Sequence, residues 1–430
     1  MTPRLQYIID FLSRYYGLPF KLTPDEEAYI KSDSPCKINY SYHKIARDEI
    51  WVHPHALLFE SAIHPVKIEC FEHKDHKAFF KTEGDTGFDL FAATFYLISR
   101  YEEYLPHRKD KYGRYAHLNA VAFKEGFLQI PLVNIWLEDF KRLLIGKNAA
   151  FSHRHIAFAF LPTYDIDMAW SYRHKGFQRN AGAIAKLFFS GRWRSLSTRI
   201  KVLRDKITDP FDAYEWMDAL HQQFGLHPIY FFLVASRRGK YDRNIDTGNA
   251  EFKKLVQEIA AKYKTGLHPS WASGDEPALL TKEKTCLEQW VNRTVTSSRQ
   301  HFIRFELPST YRNLLAAGIT EDYSMGYGSI NGFRASVASS YFWYDLKHEE
   351  QTQLLLHPFC FMDANSYYEQ QLSAEEALQE LLHYYNTIQS VNGTMITIWH
   401  NSFLGDGTEF DGWKEVYRQF ISGIQTAIGH

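Results

Sequence analysis

Residues 156–167 read IAFAFLPTYDID, an apolar alternating run at 156–161 that passes directly into Thr163-Tyr164-Asp165-Ile166-Asp167. The alternation predicts a strand, and side chains two apart on a strand share a face. Asp165 and Asp167 then project together, with Ile166 opposite. Two carboxylates this close repel, and one pKa rises unless a cation lies between them. A general base beside a metal ligand is one division of labour. The plainer alternative is that one Asp caps the helix that follows.

The elements after this run set the fold class. Helical patterns near 180–206 and 212–224 precede an apolar strand at 229–234. A helix at 249–262, a short strand ending at 265–267, a helix at 277–291 and a strand-like stretch at 301–305 continue the rhythm. Further strands at 353–356 and 394–399 are each followed by a helical stretch, 373–390 and 411–427. Such alternation predicts an α/β fold, a parallel sheet with helices outside, of a length that suits a (β/α) barrel; a doubly wound open sheet is the alternative. Residues 1–150 have a different rhythm. An amphipathic start leads to strand-like segments at 49–52, 66–70 and 77–82, then to a helix at 88–104 capped by Asp85 or Thr86 and stopped by Pro106, and to a second helix at 133–144. The polar link GKNAAFSHR at 146–154 marks the expected boundary between an α+β domain, 1–150, and a barrel, 151–430.

In a parallel barrel, chemistry gathers at the C-terminal ends of the strands. Besides Asp165 and Asp167, three places qualify: Gly266-Leu267-His268-Pro269-Ser270-Trp271, Ser298-Arg299-Gln300-His301, read as the start of a strand, and Ile398-Trp399-His400-Asn401-Ser402. A neutral imidazole at a strand end suits a divalent metal, although a lone histidine is more often structural. First and last strands of a closed barrel are neighbours, so His400 is expected beside Asp165. Gly326-Tyr327-Gly328-Ser329-Ile330-Asn331-Gly332 lacks the flanking strand, helix and lysine of a phosphate loop. His53 and His55, with no acid until Glu60, read as structural. Glu102 and Glu103 close a helix at the end where the macrodipole disfavours negative charge, so a salt bridge to Arg100, Arg108 or Arg114, or a contact between domains, is expected.

Composition narrows the function classes. Forty-nine Lys and Arg against 50 Asp and Glu give a net charge of -1, without the broad basic field of a nucleic-acid binder. Cys36, Cys70, Cys286 and Cys360 are scattered, with no metal-binding spacing. The most apolar stretch, IYFFLVA at 229–235, is far short of the ~18 to 20 residues of a membrane span. The first twenty residues lack a continuous apolar core, so no secretory signal is read and a cytoplasmic location is expected. Aromatic residues reach 16%, which fits either a large core or a cleft that stacks on sugar rings.

The ordered set Thr163-Tyr164-Asp165-Ile166-Asp167, His268-Pro269-Ser270 and Ile398-Trp399-His400 resembles the motifs of the polysaccharide deacetylase family, carbohydrate esterase family four, over roughly residues 155 to 405. Residues 1–150, with Leu97-Ile98-Ser99-Arg100-Tyr101-Glu102-Glu103-Tyr104, are similar to an amino-terminal domain of some bacterial members. The resemblance implies a distorted (β/α) barrel and a divalent metal, usually zinc, that activates water to hydrolyse an N- or O-acetyl group on a sugar. Carried over, Asp165 resembles the general base, Asp167 the metal carboxylate, His268 the first metal histidine and His400 the acid. Two departures matter. Ile166 separates aspartates that the family has adjacent, which leaves base and ligand open between Asp165 and Asp167. The position of the second metal histidine, four residues after the first, is Ala272.

Either His301 replaces that ligand, or the metal is held weakly, or catalysis is lost. His301 ranks first because its strand follows that of His268 by one helix, and consecutive strands of a right-handed parallel barrel are neighbours. His357 ranks second. His400 is expected to stay unligated, hydrogen-bonded near Asp165. Trp271, Arg299 and Arg334 are the candidates for substrate contact, the arginines through a carboxylate or sugar hydroxyls. The leading reading is a metal-dependent carbohydrate deacetylase with no nucleic-acid partner and no membrane span. The alternatives are a catalytically silent barrel that binds glycan or an assembly partner, and a glycoside hydrolase using two carboxylates.

Overall fold

The run that carries Asp165 is a strand, and it lies inside a nine-stranded sheet. The computed structural model describes residues 2–147 and 157–428. The expected strand start at Ile156 and most of the polar link at 146–154 lie outside them. Four strands belong to the first part of the chain: β1 (Lys37–Asn39), β2 (Glu49–Trp51), β3 (Phe71–His73) and β4 (His76–Ala78). The rest are β5 (Ala159–Ile166), β6 (Ile229–Phe232), β7 (Lys264–Leu267), β8 (Ser297–Ser298), β9 (Glu321–Asp322), β10 (Tyr341–Asp345), β11 (Glu350–Leu356), β12 (Phe361–Met362) and β13 (Thr394–His400).

The sheet order is β10-β11-β9-β8-β7-β6-β5-β13-β12, parallel throughout except for the β10–β11 hairpin. Setting β10 aside, the order from β12 through β13 and β5 to β11 follows the chain in a circle. A barrel produces that order, whereas a doubly wound sheet would place β12 and not β13 beside β5. The ring opens between β11 and β12, whose edges do not pair. The link across the gap is held by single backbone bonds, from His357 N–H to Asp322 O and from Cys360 N–H to Ile396 O. The fold is therefore the distorted (β/α) barrel. Its strands are buried on both faces, which is why β6 is continuously apolar. Gly266 of β7 has a local reason: a Cβ there would lie 2.5 Å from the Phe231 ring and 2.9 Å from the Ser297 carbonyl. Only glycine lets these strands close side by side and bring their ends together.

Among the described residues no strand pairing joins 2–147 to the barrel sheet; β1–β2 and β3–β4 are separate two-stranded sheets. The apolar core nevertheless runs through both parts. The helix Leu90–Ile98 is buried along its whole length and is capped by Asp89, whose carboxylate accepts from Phe91 and Ala92 N–H, and not by Asp85 or Thr86. It ends at Ile98; Arg100 adopts a left-handed conformation and a 3-10 turn, Tyr101–Tyr104, follows. Residues 66–70 form no strand. Residues 301–303 are a 3-10 turn, so Arg299 and His301 follow the end of β8 and do not begin a strand. Isolated β-propensity misleads at such places because loop geometry, fixed by distant partners, overrides it.

Candidate metal centre and active site

The C-terminal ends of β5, β7, β8, β12 and β13 converge on Asp167. Asp165 is the penultimate residue of β5 and buried. Arg299, fully buried, donates from Nη1 to Asp165 Oδ1 at 2.9 Å and to Thr163 Oγ1 at 2.7 Å, and from Nε to the Tyr323 carbonyl. Its guanidinium also lies 4.5 Å from the Phe231 ring centroid. The arginine thus holds one oxygen of Asp165, while Oδ2 faces His268 Nε2 at 3.9 Å. Asp167, one residue beyond the strand, brings Oδ1 to 3.0 Å of the same nitrogen. The two carboxylates therefore share a face, as the spacing requires.

His268 follows β7 in the turn His268-Pro269-Ser270, which buried Glu283 ties down by accepting from Ser270 N–H at 3.0 Å and Ser270 Oγ at 2.6 Å. Its Nδ1 donates to the Arg299 carbonyl at 2.5 Å, which leaves Nε2 as the lone pair aimed at Asp167. His301 is oriented the same way: Nδ1 donates to Asp242 Oδ1 at 3.0 Å, and Nε2 stands 3.4 Å from Asp167 Oδ2. Asp242 is itself fixed by accepting from Trp271 N–H at 2.8 Å. Burial works against charge on His301, but Asp167 and Asp242 outweigh it and raise its pKa to about 9. Burial would likewise push Asp167 up; the charge of His301, with the His268 and His301 imidazoles close beside its oxygens, holds it well below the usual carboxylate range.

Asp167, His268 and His301 offer ligand atoms that all lie within 4.8 Å of one another. The set fits a divalent ion on two further counts. Each histidine has its second nitrogen engaged by an oxygen acceptor, the arrangement that orients metal-binding imidazoles. Asp167 Oδ1 is buried without a well-formed hydrogen bond, although an imidazole nitrogen stands beside it. Three protein ligands would leave a fourth position for water.

His400 ends β13 in register with Asp165, so the first and last strands are neighbours. Its hydrogen bonds, however, go to Asp363, and the expectation of a bond near Asp165 is corrected. Nδ1 meets Asp363 Oδ1 at 2.6 Å and the backbone N–H meets Oδ2 at 2.7 Å, while Nε2 faces Asp167 Oδ2 at 3.6 Å. Against burial, Asp363 first and then Asp167 and Asp165 raise the His400 pKa to about 10.

Other expected residues lie elsewhere. Arg334 does not reach the site: it is buried in a two-point pair with Glu103, and its guanidinium lies 4.0 Å from the Phe305 ring centroid, so the expected substrate contact is corrected. Glu103 also accepts from Arg100, which pairs with Glu102. Both expectations for the acidic pair therefore meet in one cluster, a local salt bridge and a contact with the barrel. His357 sits outside the group, bonded to Ser340 and stacked on Tyr323. Trp271 lies beside the site, but Tyr241 stacks on its indole at 4.1 Å and Arg304 lies 4.4 Å from the ring, so it is packed and not a free sugar platform. Arg299 orients a carboxylate. Asp242 and Asp363 escaped sequence reasoning. Asp363 follows the apolar end of β12, FCFM, and the strand-end rule would have found it. Asp242 stands in a polar loop with no such signal.

Comparison with solved structures finds distant similarity to several proteins. A putative polysaccharide deacetylase from Mycobacterium smegmatis is 14% identical, with 63% of this chain and 85% of that one covered and a TM-score of 0.41. A probable polysaccharide deacetylase from Pseudomonas aeruginosa PAO1 is 10% identical, with 65% and 90% covered and a TM-score of 0.41. Puue allantoinase is 10% identical over 63% and 84%, also with a TM-score of 0.41. Residues 1–149 match a family described as a family of unknown function, DUF7033. No curated protein matches the chain.

Proposed function

We propose that this chain is a metal-dependent hydrolase that removes acetyl groups from a carbohydrate. The observation that carries the reading is the convergence of Asp167, His268 and His301, flanked by the Asp165–Arg299 and His400–Asp363 pairs. His301 supplies the third ligand that Ala272 cannot, which is why the silent-barrel alternative is not adopted. A divalent ion on these three residues, zinc being the usual choice for such a donor set, would polarise the acetyl carbonyl and lower the pKa of water. Asp165, with Oδ1 held by Arg299, has Oδ2 free to take a proton from the attacking water. His400 keeps its proton at neutral pH because Asp363 stabilises the imidazolium, and Nε2 is placed to pass that proton to the leaving amine or alcohol. Residues 1–150 and 151–430 belong to this proposal as two units. The match to the family of unknown function ends at residue 149, and the two parts have separate sheets.

The test is metal analysis of the purified full chain, followed by acetate release from a panel of acetylated oligosaccharides before and after chelation. We expect near-stoichiometric metal and chelator-sensitive acetate release. A metal-loaded protein that releases no acetate from any member of the panel would overturn the proposal, as would reducing ends appearing in place of acetate.

A further inference from the structure

The helices Phe177–Phe189 and Trp193–Leu203 form a hairpin that leaves the barrel directly after the Asp167 loop, at the end of the strands where the candidate site lies. The first of them has no buried residue although it is largely apolar. Phe177, Ala181, Ile184 and Phe188 fall on one face at helical spacing, and with Leu203 they line an open groove of about 510 Å³ in which Asn180 is the only polar residue. At the tip, Phe189 is 86% exposed, Phe188 53% and Trp193 58%, and Phe177 at the base is 88% exposed. Aromatic exposure on this scale, concentrated in one hairpin, marks an interaction surface.

The charge of the same segment identifies the partner. Between Arg173 and Lys206 there are ten Lys or Arg and a single acid, Asp205, in a chain whose net charge is -1. Asp205 is spent on Arg173. Among the described residues no acid pairs with Lys186, Arg192, Arg194, Lys201, Arg204 or Lys206. The neighbouring loop adds Lys240 and Arg243, while its Arg237 and Arg238 pair with Glu276 and Asp246, and Arg179 reaches it through a hydrogen bond to the Arg243 carbonyl. The positive field is felt locally: burial first, then Arg179, Arg199 and Arg243, bring the Lys175 ammonium down to about 8. The hairpin is nevertheless well anchored. Asp209 accepts from the backbone N–H of Ser171, Tyr172 and Arg173, and Arg199 bridges the two helices to Asn180 at 2.7 Å.

We infer that this hairpin docks the protein on the surface of an anionic lipid bilayer, with Phe177, Phe188, Phe189 and Trp193 in the headgroup boundary and the Lys and Arg side chains among the phosphates. An amphipathic helix with a basic polar face and Phe or Trp on the other lies in such an interface, and none of the helices among the described residues is long and apolar enough to cross one. A second copy of this chain is a poor occupant, because it would bring two strongly basic surfaces together. A nucleic acid would match the charge but leave the Ala181, Ile184 and Leu203 groove facing sugar and phosphate. The surface is independent of the chemistry proposed for the site; if both hold, the acetylated sugar is one held close to a membrane.

The experiment is co-sedimentation of the full-length chain with phosphatidylcholine vesicles, with and without phosphatidylglycerol, at low and high salt. We expect binding only to the anionic vesicles, weakened by salt, and lost about tenfold or more in the triple variant Phe188→Ser, Phe189→Ser, Trp193→Ser. Arg192→Glu with Arg194→Glu should weaken binding roughly fivefold per cation removed. These side chains are exposed, so circular dichroism should show native folding in both variants. Failure to bind anionic vesicles at low salt would overturn the inference, as would binding unaffected by loss of the aromatics. Displacement from vesicles by a single-stranded oligonucleotide, or a dimer in light scattering that the serine variant abolishes, would assign the surface to another partner and overturn it equally. None of these readouts uses catalysis, so their failure leaves the deacetylase reading untouched.

Discussion

Asp242 accepts the Nδ1 proton of His301 at 3.0 Å, which commits the other nitrogen to Asp167. His301→Ala should therefore remove a ligand and abolish tight zinc binding. Asp242→Asn keeps an acceptor but loses the charge, and should weaken zinc affinity about 10- to 100-fold, the usual cost of altering a histidine's outer partner. Competition against a chromophoric chelator measures both; a His301→Ala protein with unchanged affinity would reject the assignment. Asp363 plays the corresponding part for His400 without being near enough to join the metal group. Asp363→Asn removes the largest influence holding the His400 proton, so the imidazolium pKa falls from about 10. Because the acid must be protonated to act, the alkaline limb of the pH–rate profile should move to lower pH while the acidic limb stays. An unchanged alkaline limb would mean that His400 is not the acid.

At the scale of elements, the turn Tyr101–Tyr104 is joined to the barrel by buried charge. Glu103 lies between Arg100 and Arg334, each bonded to it within 2.8 Å. Burial alone would raise its pKa, but the two guanidinium groups bring it down to about 2. Glu103→Gln leaves buried Arg334 without a counter-charge and Arg100 with Glu102 alone, and should cost about 3–5 kcal/mol, read as a lowered urea midpoint. The sign with pH follows from the depressed value: the contribution is whole above about 4.5, the ordinary value, and is lost as pH falls toward 2. The Gln variant should lack that part of the acid dependence. If it melts like the parent, the cluster contributes no net stability to the junction.

For the molecule as a whole, acid acts earlier through buried neutral histidine. His221 bonds Tyr164 Oη through Nε2 at 2.6 Å, and burial pushes its pKa down to about 4, with Asp218 opposing. The unfolded chain takes up that proton near 6.5 and the folded chain only near 4, so stability falls across that window and is level above it. Roughly 3 kcal/mol is at stake, at about 1.4 kcal/mol per pKa unit. Urea titrations at several pH values should show the decline in the parent and a shallower one in His221→Gln. The distribution of charge is also a whole-molecule property that an average conceals. A net charge of -1 argues against a basic field, yet ten cations crowd into one hairpin and acids dominate elsewhere.

The sequence by itself determined an α/β fold with a parallel sheet, because apolar runs and helical periods are local and their alternation leaves few ways to bury every strand; only the strand order, with β13 beside β5, chose the barrel over a doubly wound sheet. It also determined that Asp165, Asp167, His268 and His400 end strands, and strand ends of a parallel barrel must share one face. It could not determine which oxygen each imidazole would find. Asp242 and Asp363 meet His301 and His400 across 59 and 37 residues of chain, and no local period records such a pairing. Arg299 and Arg334 look alike in the sequence as candidates for substrate contact until the fold sets one against Asp165 and the other against Glu103 of the amino-terminal part. Those choices rest with tertiary structure, because a buried charge must take whichever opposite charge the closed ring brings within reach, and desolvation makes any other arrangement too costly.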